Sequence, residues 1–253
     1  MKIQKLQEHE LTLFFKYATL ESWDTEEVHT IALYKTHPDD FFIAYKSEQL
    51  LGFIVAIKHS DEFGFISSFL VLKEFRSLGY GREIFNFALK HLKGRQIALD
   101  SVVDKTTLYE RVGFKAYFDV ITYSFKTGSV ELPSSEIETV DFNENLALFT
   151  DKEYMNTILA NDKVNYRAVK SASLISSYAF TFEYRDGYKI HIESKDINEA
   201  LTLFFSLTDE LKKGTNIYLQ ASKLSPLLLA IVQALKMSET SKHIRMYNKC
   251  LIS

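Results

Sequence analysis

The sequence predicts a mixed α/β protein made of two similar halves. In the first half, apolar runs of strand length at residues 41–45, 50–57 and 63–72 precede a segment with helical apolar spacing at 80–93. In the second half, a hairpin signal at 178–192 is followed by helix and strand patterns in the same order. Between the halves, KTGSVELPSSEIE combines Gly, Pro and three Ser without any period, which is typical of a linker. We therefore predict a domain at 1–126, a linker at 127–139 and a second domain at 140–253.

The elements of the first half follow from period and punctuation. Alternation predicts a strand at its start, Glu26 and Glu27 suit a helix N-terminus, and Gly94 and Gly113 are typical helix ends. The predicted order is a strand at 2–6, helices at 11–18 and 25–36, antiparallel strands at 41–45, 50–57 and 63–72, a helix at 80–93, a strand at 97–103, a short helix at 106–111, and two closing strands at 114–118 and 120–125.

The second half repeats much of this order. Asp186-Gly187 between alternating apolar runs predicts a hairpin turn. The predicted elements are a helix at 143–159, strands at 178–184 and 188–192, a helix at 197–213, a strand at 217–220, a helix at 226–237 and a last strand at 243–247. The repeated order favours a degenerate duplication.

Composition excludes several classes of protein. The 253 residues are 46% hydrophobic and 25% charged, which is typical of a soluble globular chain, and the net charge of −3 favours no nucleic-acid partner. A single cysteine, Cys250, allows no internal disulfide, and the histidines have no metal-ligand spacing, so we expect no metal. The longest apolar stretch, 226–235, is too short to span a membrane, and the N-terminus has no apolar signal segment. We expect a cytoplasmic protein without a membrane partner, and a homodimer stays open.

The most informative stretch is FLVLKEFRSLGYGR at 69–82, where a predicted strand enters a turn with an arginine and two glycines and then a helix. The first amides of a helix lack partners within it and carry partial positive charge, so a diphosphate can bind the N–H groups of residues 77–82. A plain tight turn is an equally good interpretation of this stretch alone. Dinucleotide binding is disfavoured because Ile84 stands where a third glycine belongs, and a P-loop lacks its Gly-Lys-Ser/Thr.

The context favours one interpretation. Arg76–Gly81 matches the R/Q-x-x-G-x-G/A signature of the GNAT N-acetyltransferases, and Tyr109–Phe114 is similar to that family's second signature. The chain also resembles the two-domain bacterial group often called YitH/HolE-like, at residues 63–66, 97–102 and Arg245-Met246. This resemblance implies a GNAT fold followed by a second, degenerate GNAT-like domain. In that domain, Ser194–Ala200 replaces the coenzyme loop and has no glycine, so we expect no tight coenzyme binding there.

The resemblance implies an N-acetyltransferase. An acetyl group would pass from acetyl-coenzyme A (acetyl-CoA) directly to a small-molecule amine in a ternary complex. The residues that match the family's coenzyme-binding positions are Phe69, Leu70, Val71, Arg76, Ser77, Leu78, Gly79, Tyr80, Gly81 and Arg82. A free N–H of Val71 would hold the thioester oxygen as it becomes an oxyanion. Ser77 and Leu78 depart from the family's usual glycine and basic residue, which leaves open an alternative, an acyl-CoA-binding or sensor protein without turnover.

The resemblance also implies catalytic and acceptor residues. Tyr109 is the expected general acid toward the thiolate, with a packed structural tyrosine as the alternative. Asp100 is the expected base, with a turn cap or an anchor for the substrate amine as the alternative. The acceptor pocket is expected at Glu21, Trp23, Asp24 and Ser67, although a packed aromatic and a solvated acidic cap explain Trp23 and the two acids equally simply.

Overall fold

The computed structural model describes residues 1–128, 139–140, 152–171, 174–209 and 211–248, and it divides the chain into two compact units. One unit runs from Asp119 to Lys242, and the other contains the residues up to Phe118 and those from His243 onward. The units therefore divide at 118/119 and again at 242/243, whereas the sequence prediction has one linker at 127–139. Residues 129–138 of that linker, 143–151 of the predicted helix and Cys250 lie outside the described residues.

Within the described ranges the chain forms twelve strands and seven helices. The strands are β1 Lys2–Lys5, β2 Phe41–Lys46, β3 Gln49–Lys58, β4 Phe63–Val71, β5 Gln96–Val102, β6 Lys115–Lys126, β7 Thr139–Val140, β8 Asn165–Ser171, β9 Leu174–Tyr184, β10 Gly187–Glu193, β11 Asn216–Ser222 and β12 Ser238–Tyr247. The helices are α1 Leu11–Leu20, α2 Glu27–Thr36, α3 Tyr80–His91, α4 Thr106–Glu110, α5 Lys152–Leu159, α6 Ile197–Thr208 and α7 Pro226–Ala234.

The sheet of the first unit has the order β1-β2-β3-β4-β5-β12. Every pair is antiparallel except β4 with β5, which are joined by the crossover helix α3, as parallel neighbours require. Apolar residues of α3, including Ile84 and Ala88, pack on one face of this sheet, and Phe14 of α1 and Tyr34 of α2 pack on the other. Each face therefore has its own hydrophobic core.

The predicted pair of closing strands is wrong, because residues 115–126 form the single strand β6. Burial alternates through the middle of this segment, and the sequence at Asp119 contains no glycine or proline that would turn the chain. From Val120 onward β6 pairs with β11 of the second unit, and the strand beside β5 is the C-terminal half of β12. Each unit thus takes its last strand from the other half of the sequence.

The second unit repeats the architecture of the first, with the order β7-β8-β9-β10-β11-β6 and one parallel pair, β10 with β11. Helix α6 connects that pair as α3 connects β4 and β5, and Leu203 and Phe204 anchor its core. Sequence reasoning missed β8. It also placed the hairpin turn one residue late. The turn is Arg185-Asp186, and Gly187 already pairs in β10, where a Cβ would lie 2.0 Å from the carbonyl oxygen of Asn216.

Candidate functional site

The parallel strands β4 and β5 stop pairing halfway along their length. Their register ends at Ile66 opposite Leu99, although β4 continues to Val71 and β5 to Val102. At the same point β4 contains one extra residue relative to β3, and Ser68 has the left-handed φ of 50°. A bulge of this kind bends a strand and changes which residues face each side. We call the unpaired region beyond Ile66 and Leu99 the β4–β5 fork.

The backbone amide of Val71 points into the fork. The amide of Leu72 donates to the carbonyl of Leu51 on β3 at 2.9 Å. In an antiparallel ladder, hydrogen-bonded pairs alternate with unbonded pairs, so Val71, opposite Gly52, directs its N–H and C=O away from β3. The same alternation directs the backbone of Leu70 toward β3, and its side chain is buried in the core on the α1 face. We therefore leave Leu70 out of the candidate site.

The loop at residues 76–81 presents a row of unbonded amides. Within the described residues, the N–H groups of the five positions from Ser77 to Gly81 donate to no backbone or side-chain acceptor. Ser77 and Gly79 have the left-handed φ values of 62° and 89°, and Gly79 is the N-cap residue of α3. The two left-handed residues change the direction in which successive amides of the loop point, and the dipole of α3 adds positive potential. This loop is therefore suited to bind an anion through its backbone.

The Arg76 side chain is held by two contacts within the protein. Its Nε donates to the carbonyl of Val71 at 2.8 Å, and its Nη2 lies 2.7 Å from Oε2 of Glu21. Glu21, at the end of α1, is thus an ion-pair partner of the loop. The sequence predicted both residues for the site, Arg76 for the coenzyme and Glu21 for the acceptor. Their pairing could not be predicted.

A second cation that sequence reasoning missed lies beside the start of α3. The ammonium group of Lys46, at the end of β2, donates to the Tyr80 hydroxyl and lies 5.1 Å from the centre of its ring. Tyr80 in turn packs edge-on against Phe75. The β2–β3 hairpin therefore brings a lysine near the 76–81 loop, whereas the loop itself has the exposed Leu78 in the position of the family's usual basic residue.

Tyr109 lies in an aromatic cluster that reaches the fork. Its ring is 5.5 Å from that of Phe85 on α3 and 6.4 Å from that of Phe114. The ring of Phe69, on the fork portion of β4, also lies 5.5 Å from Phe85. Burial raises the pKa of Tyr109, so its hydroxyl keeps its proton at neutral pH. The arrangement is consistent with both predicted roles, a proton donor and a packed ring.

Asp100 is held by an arginine from the last strand. Arg245, its partner in the β5–β12 register, donates through Nε to Oδ1 and through Nη2 to Oδ2 at 2.9 Å. Burial by itself would lower the pKa of Arg245, but the hydrogen bonds and charges of Asp100 and Tyr247 outweigh it, and the pKa is raised. Both oxygens of Asp100 already accept from a guanidinium, so an incoming proton has to compete with this pair. This pairing disfavours Asp100 as a base, and its role in the site stays a prediction.

The comparisons with known proteins agree with this geometry. Residues 3–114 match the profile of the Acetyltransferase (GNAT) family. The first unit is therefore similar to this family over residues 3–114, and we call it the GNAT domain. A curated relative, holothin acyltransferase from Pseudoalteromonas sp. (strain SANK 73390), is 22% identical over 104 residues, which cover 41% of this chain and 35% of that protein. The chain thus aligns with about a third of that relative's length.

Two solved structures extend the likeness to the whole chain. A putative acetyltransferase from Pyrococcus horikoshii has a TM-score of 0.74 at 14% identity, covering 99% of this chain and 90% of its own. A tandem GNAT protein from the clavulanic acid biosynthesis pathway has a TM-score of 0.66 at 8% identity, covering 97% of both chains. The predicted fold, a GNAT domain followed by a second GNAT-like domain, is confirmed.

The remaining predicted acceptor residues lie in two segments of the GNAT domain. Trp23 is partly buried and packs against the core on the α1 face, as the packed-aromatic interpretation expects. Asp24 is exposed, one residue further along the chain. Ser67 is half-buried at the bulge that opens the fork, so it is the predicted acceptor residue closest in sequence to the fork. Their roles in acceptor binding remain predictions.

In its described residues the second unit also has a fork, but the start of its crossover helix α6 differs from the 76–81 loop. Its parallel strands pair only from Gly187–Lys189 with Asn216–Tyr218. At the start of α6, however, the carboxylate of Asp196 accepts from the amides of Asn198 at 2.8 Å and Glu199 at 3.0 Å. Asp196 therefore bonds amides at the start of α6, whereas the corresponding amides at the start of α3 are open. The negative charge of Asp196 also repels an anion. Among the described residues, the start of α3 is therefore better suited than the start of α6 to bind an anion.

The described ranges of the chain lack two further features. There, no group of three or more His, Cys, Asp or Glu residues is arranged to hold a metal ion. In the same ranges, none of the helices has the length and apolar content that a membrane crossing requires.

Proposed function

We propose that this protein is an acyltransferase that moves an acetyl group from acetyl-CoA to the amine of a small-molecule acceptor. The observation that carries the proposal is the row of unbonded amides at the 76–81 loop, at the mouth of a fork into which the Val71 amide points. These features fit a ligand with a diphosphate at one end and an amide-containing arm at the other. The GNAT profile over residues 3–114 supports the same assignment.

The chain's own groups fit such a coenzyme. The amides of Ser77 to Gly81 would hold the diphosphate, and a Cβ on Gly81 would lie 3.4 Å from Val71 and 3.5 Å from Phe69, so α3 starts close against the fork strand. The carbonyl of Val71 accepts from Arg76 through one lone pair, and its second lone pair would accept from a pantetheine amide. The coenzyme, when bound, supplies an acyl group activated as a thioester.

Two residues have defined roles in the proposed transfer. In the proposed transfer the amine nitrogen would bond to the acyl carbon, which places negative charge on the acyl oxygen. The carbon–sulfur bond would then break, and the charge would pass to the departing sulfur. The Val71 N–H would stabilise the charge on oxygen, a contribution of typically ~3–4 kcal/mol. Tyr109, protonated at neutral pH, would give its proton to the departing sulfur. The proton released by the amine passes to water or to a base that we do not assign, because Asp100 is paired with Arg245.

The alternative, an acyl-CoA-binding protein without turnover, is favoured by one observation, the bidentate pair that occupies the predicted base. Calorimetric titration with acetyl-CoA, followed by a thiol-release assay over a panel of amines, separates the two. Micromolar binding with release of free thiol for at least one amine class supports the transferase. Binding without release for every amine supports the sensor, and absence of binding refutes both.

A further inference from the structure

The ion pair of Arg245 with Asp100 is placed where an acceptor would meet the fork. Asp100 is the first residue of β5 beyond the last pair with β4, Ile66 with Leu99. Its side chain lies on the same face as that of Ala98, which is opposite Phe65 of β4, and this is the face away from α3. The guanidinium of Arg245 is 5.0 Å from the ring of Phe65. The pair thus borders the fork from the side that α3 does not cover.

A purely structural role does not explain this pair well. The two side chains are 24% and 23% exposed, so both charges lose much of their hydration. Attraction in such a setting roughly offsets the desolvation cost, and apolar pairs of similar volume usually anchor a strand as well or better. An apolar side chain at position 245 would have apolar neighbours, because the rings of Phe65 and Phe118 lie within 6 Å of the guanidinium. The charges therefore point to a ligand.

The pair retains bonding capacity in both signs. The bidentate contact uses one N–H of Nε and one of Nη2, and Tyr247 takes a further hydrogen bond, so two of the five N–H groups of Arg245 lie outside these contacts. An ionised carboxylate has about four lone-pair sites, and two of those on Asp100 accept from Arg245. A neutral pair with open donors on one partner and open acceptors on the other matches a zwitterion, which offers a carboxylate and an ammonium group close together.

We propose that the Arg245–Asp100 pair recognises the acceptor, and that the acceptor is an amine that also carries a carboxylate, such as an amino acid. The remaining N–H groups of Arg245 bind the carboxylate, and the outer lone pairs of Asp100 bind the ammonium group. Arg245 comes from β12 and lies 145 positions from Asp100 in the sequence, so β12 supplies part of the GNAT domain's site. The inference rests on the proposed function, because it names the substrate of that same site.

The test compares matched ligands by calorimetry on the full-length protein, each amino acid against its decarboxylated amine: leucine with isoamylamine, lysine with cadaverine, and tyrosine with tyramine. We expect at least one amino acid to bind ten or more times more tightly than its amine. Arg245→Gln should remove that preference. The double variant Asp100→Leu/Arg245→Met should also remove it, while its melting temperature stays near wild type because apolar residues replace the pair.

The control is Arg95→Gln, since Arg95 also pairs with an aspartate, Asp61 at 3.3 Å, but lies before β5, at the end away from the fork. It should retain the preference. The inference is overturned if no wild-type pair differs, or if the preference persists in the folded double variant. Titration of the wild-type protein with acetyl-CoA distinguishes failure of the proposed function from failure of this inference. Absence of coenzyme binding refutes the proposed function, whereas the comparison of amino acids with amines tests the Arg245–Asp100 pair.

Discussion

The left-handed glycine at the start of α3 allows the anion loop to be tested by a difference measurement. Gly79 has a φ of 89°, and a Cβ there would meet no atom within 4 Å. The cost of Gly79→Ala is therefore conformational rather than steric. A left-handed conformation costs an L-residue roughly 1–2 kcal/mol, and the lower entropy of alanine in the unfolded chain returns about 0.4–1 kcal/mol. The expected loss of stability is about 1 kcal/mol.

A matched control exists at the other end of the same helix. Gly94 follows α3 with a φ of 93°, and a Cβ there likewise meets nothing within 4 Å. Gly94→Ala should lower the free energy of unfolding, measured by urea titration, by the same amount of about 1 kcal/mol. Coenzyme affinity should differ between the variants. If the strained loop at residue 79 relaxes away from the binding conformation, the Kd for coenzyme A rises about fivefold, since 1.4 kcal/mol is tenfold.

Calorimetry with coenzyme A on both variants provides the comparison. We expect Gly94→Ala to bind like wild type and Gly79→Ala to bind several times more weakly, at equal loss of stability. Equal affinities for all three proteins would refute the reasoning that loop geometry holds the diphosphate. Equal weakening in both variants would refute it as well, because the effect would then come from general destabilisation.

Three further predictions concern other parts of the chain. Tyr109→Phe should lower kcat at least tenfold in a thiol-release assay with little change in coenzyme Kd, and an unchanged kcat removes Tyr109 from the mechanism. Burial by itself would raise the pKa of Asp40, but hydrogen bonds from His91 and the Lys58 amide outweigh it and lower the pKa. The stability that this carboxylate contributes is present above about pH 4 and is lost as pH falls through the lowered pKa. The urea midpoint of the wild type should therefore fall more steeply between about pH 5 and pH 3 than that of Asp40→Asn. Parallel plots of midpoint against pH for the two proteins would contradict this. Asp196→Ala removes two cap bonds of α6 and should cost about 1 kcal/mol of unfolding free energy, measured by urea titration. A second coenzyme bound per chain by the wild-type protein, in which Asp196 covers these amides, would contradict the account of the second unit.

Local patterns were sufficient to predict most elements of the fold. Helix α3 was predicted from apolar spacing and the strands β2 to β5 from apolar runs between polar turns, because each signal lies within a dozen residues. The exchange of last strands was not predictable in this way. Strand β6 has the alternation of any half-buried strand, and nothing in its sequence specifies whether β5 or β11 is its neighbour.

In the candidate site, too, the contiguous part was predictable from the sequence and the contacts between distant residues were not. The 76–81 loop is contiguous, so a glycine pattern and a strand-to-helix transition were enough to predict it. The charge pairs join distant residues: Glu21 contacts Arg76, Lys46 contacts Tyr80, and Asp100 contacts Arg245. Pairing of this kind depends on the finished sheet, and the sequence alone therefore assigned Asp100 to a base and Arg76 to the coenzyme without their partners.

The central claim, that backbone amides at the start of α3 hold a diphosphate, is tested most directly by nuclear magnetic resonance. Amide ¹H–¹⁵N signals of Ser77 to Gly81 would be followed during titration with coenzyme A, and with pantetheine, which has no diphosphate. We predict that these five signals move with coenzyme A and stay in place with pantetheine. Signals that remain fixed at saturating coenzyme A, or that move equally with both ligands, would contradict the claim.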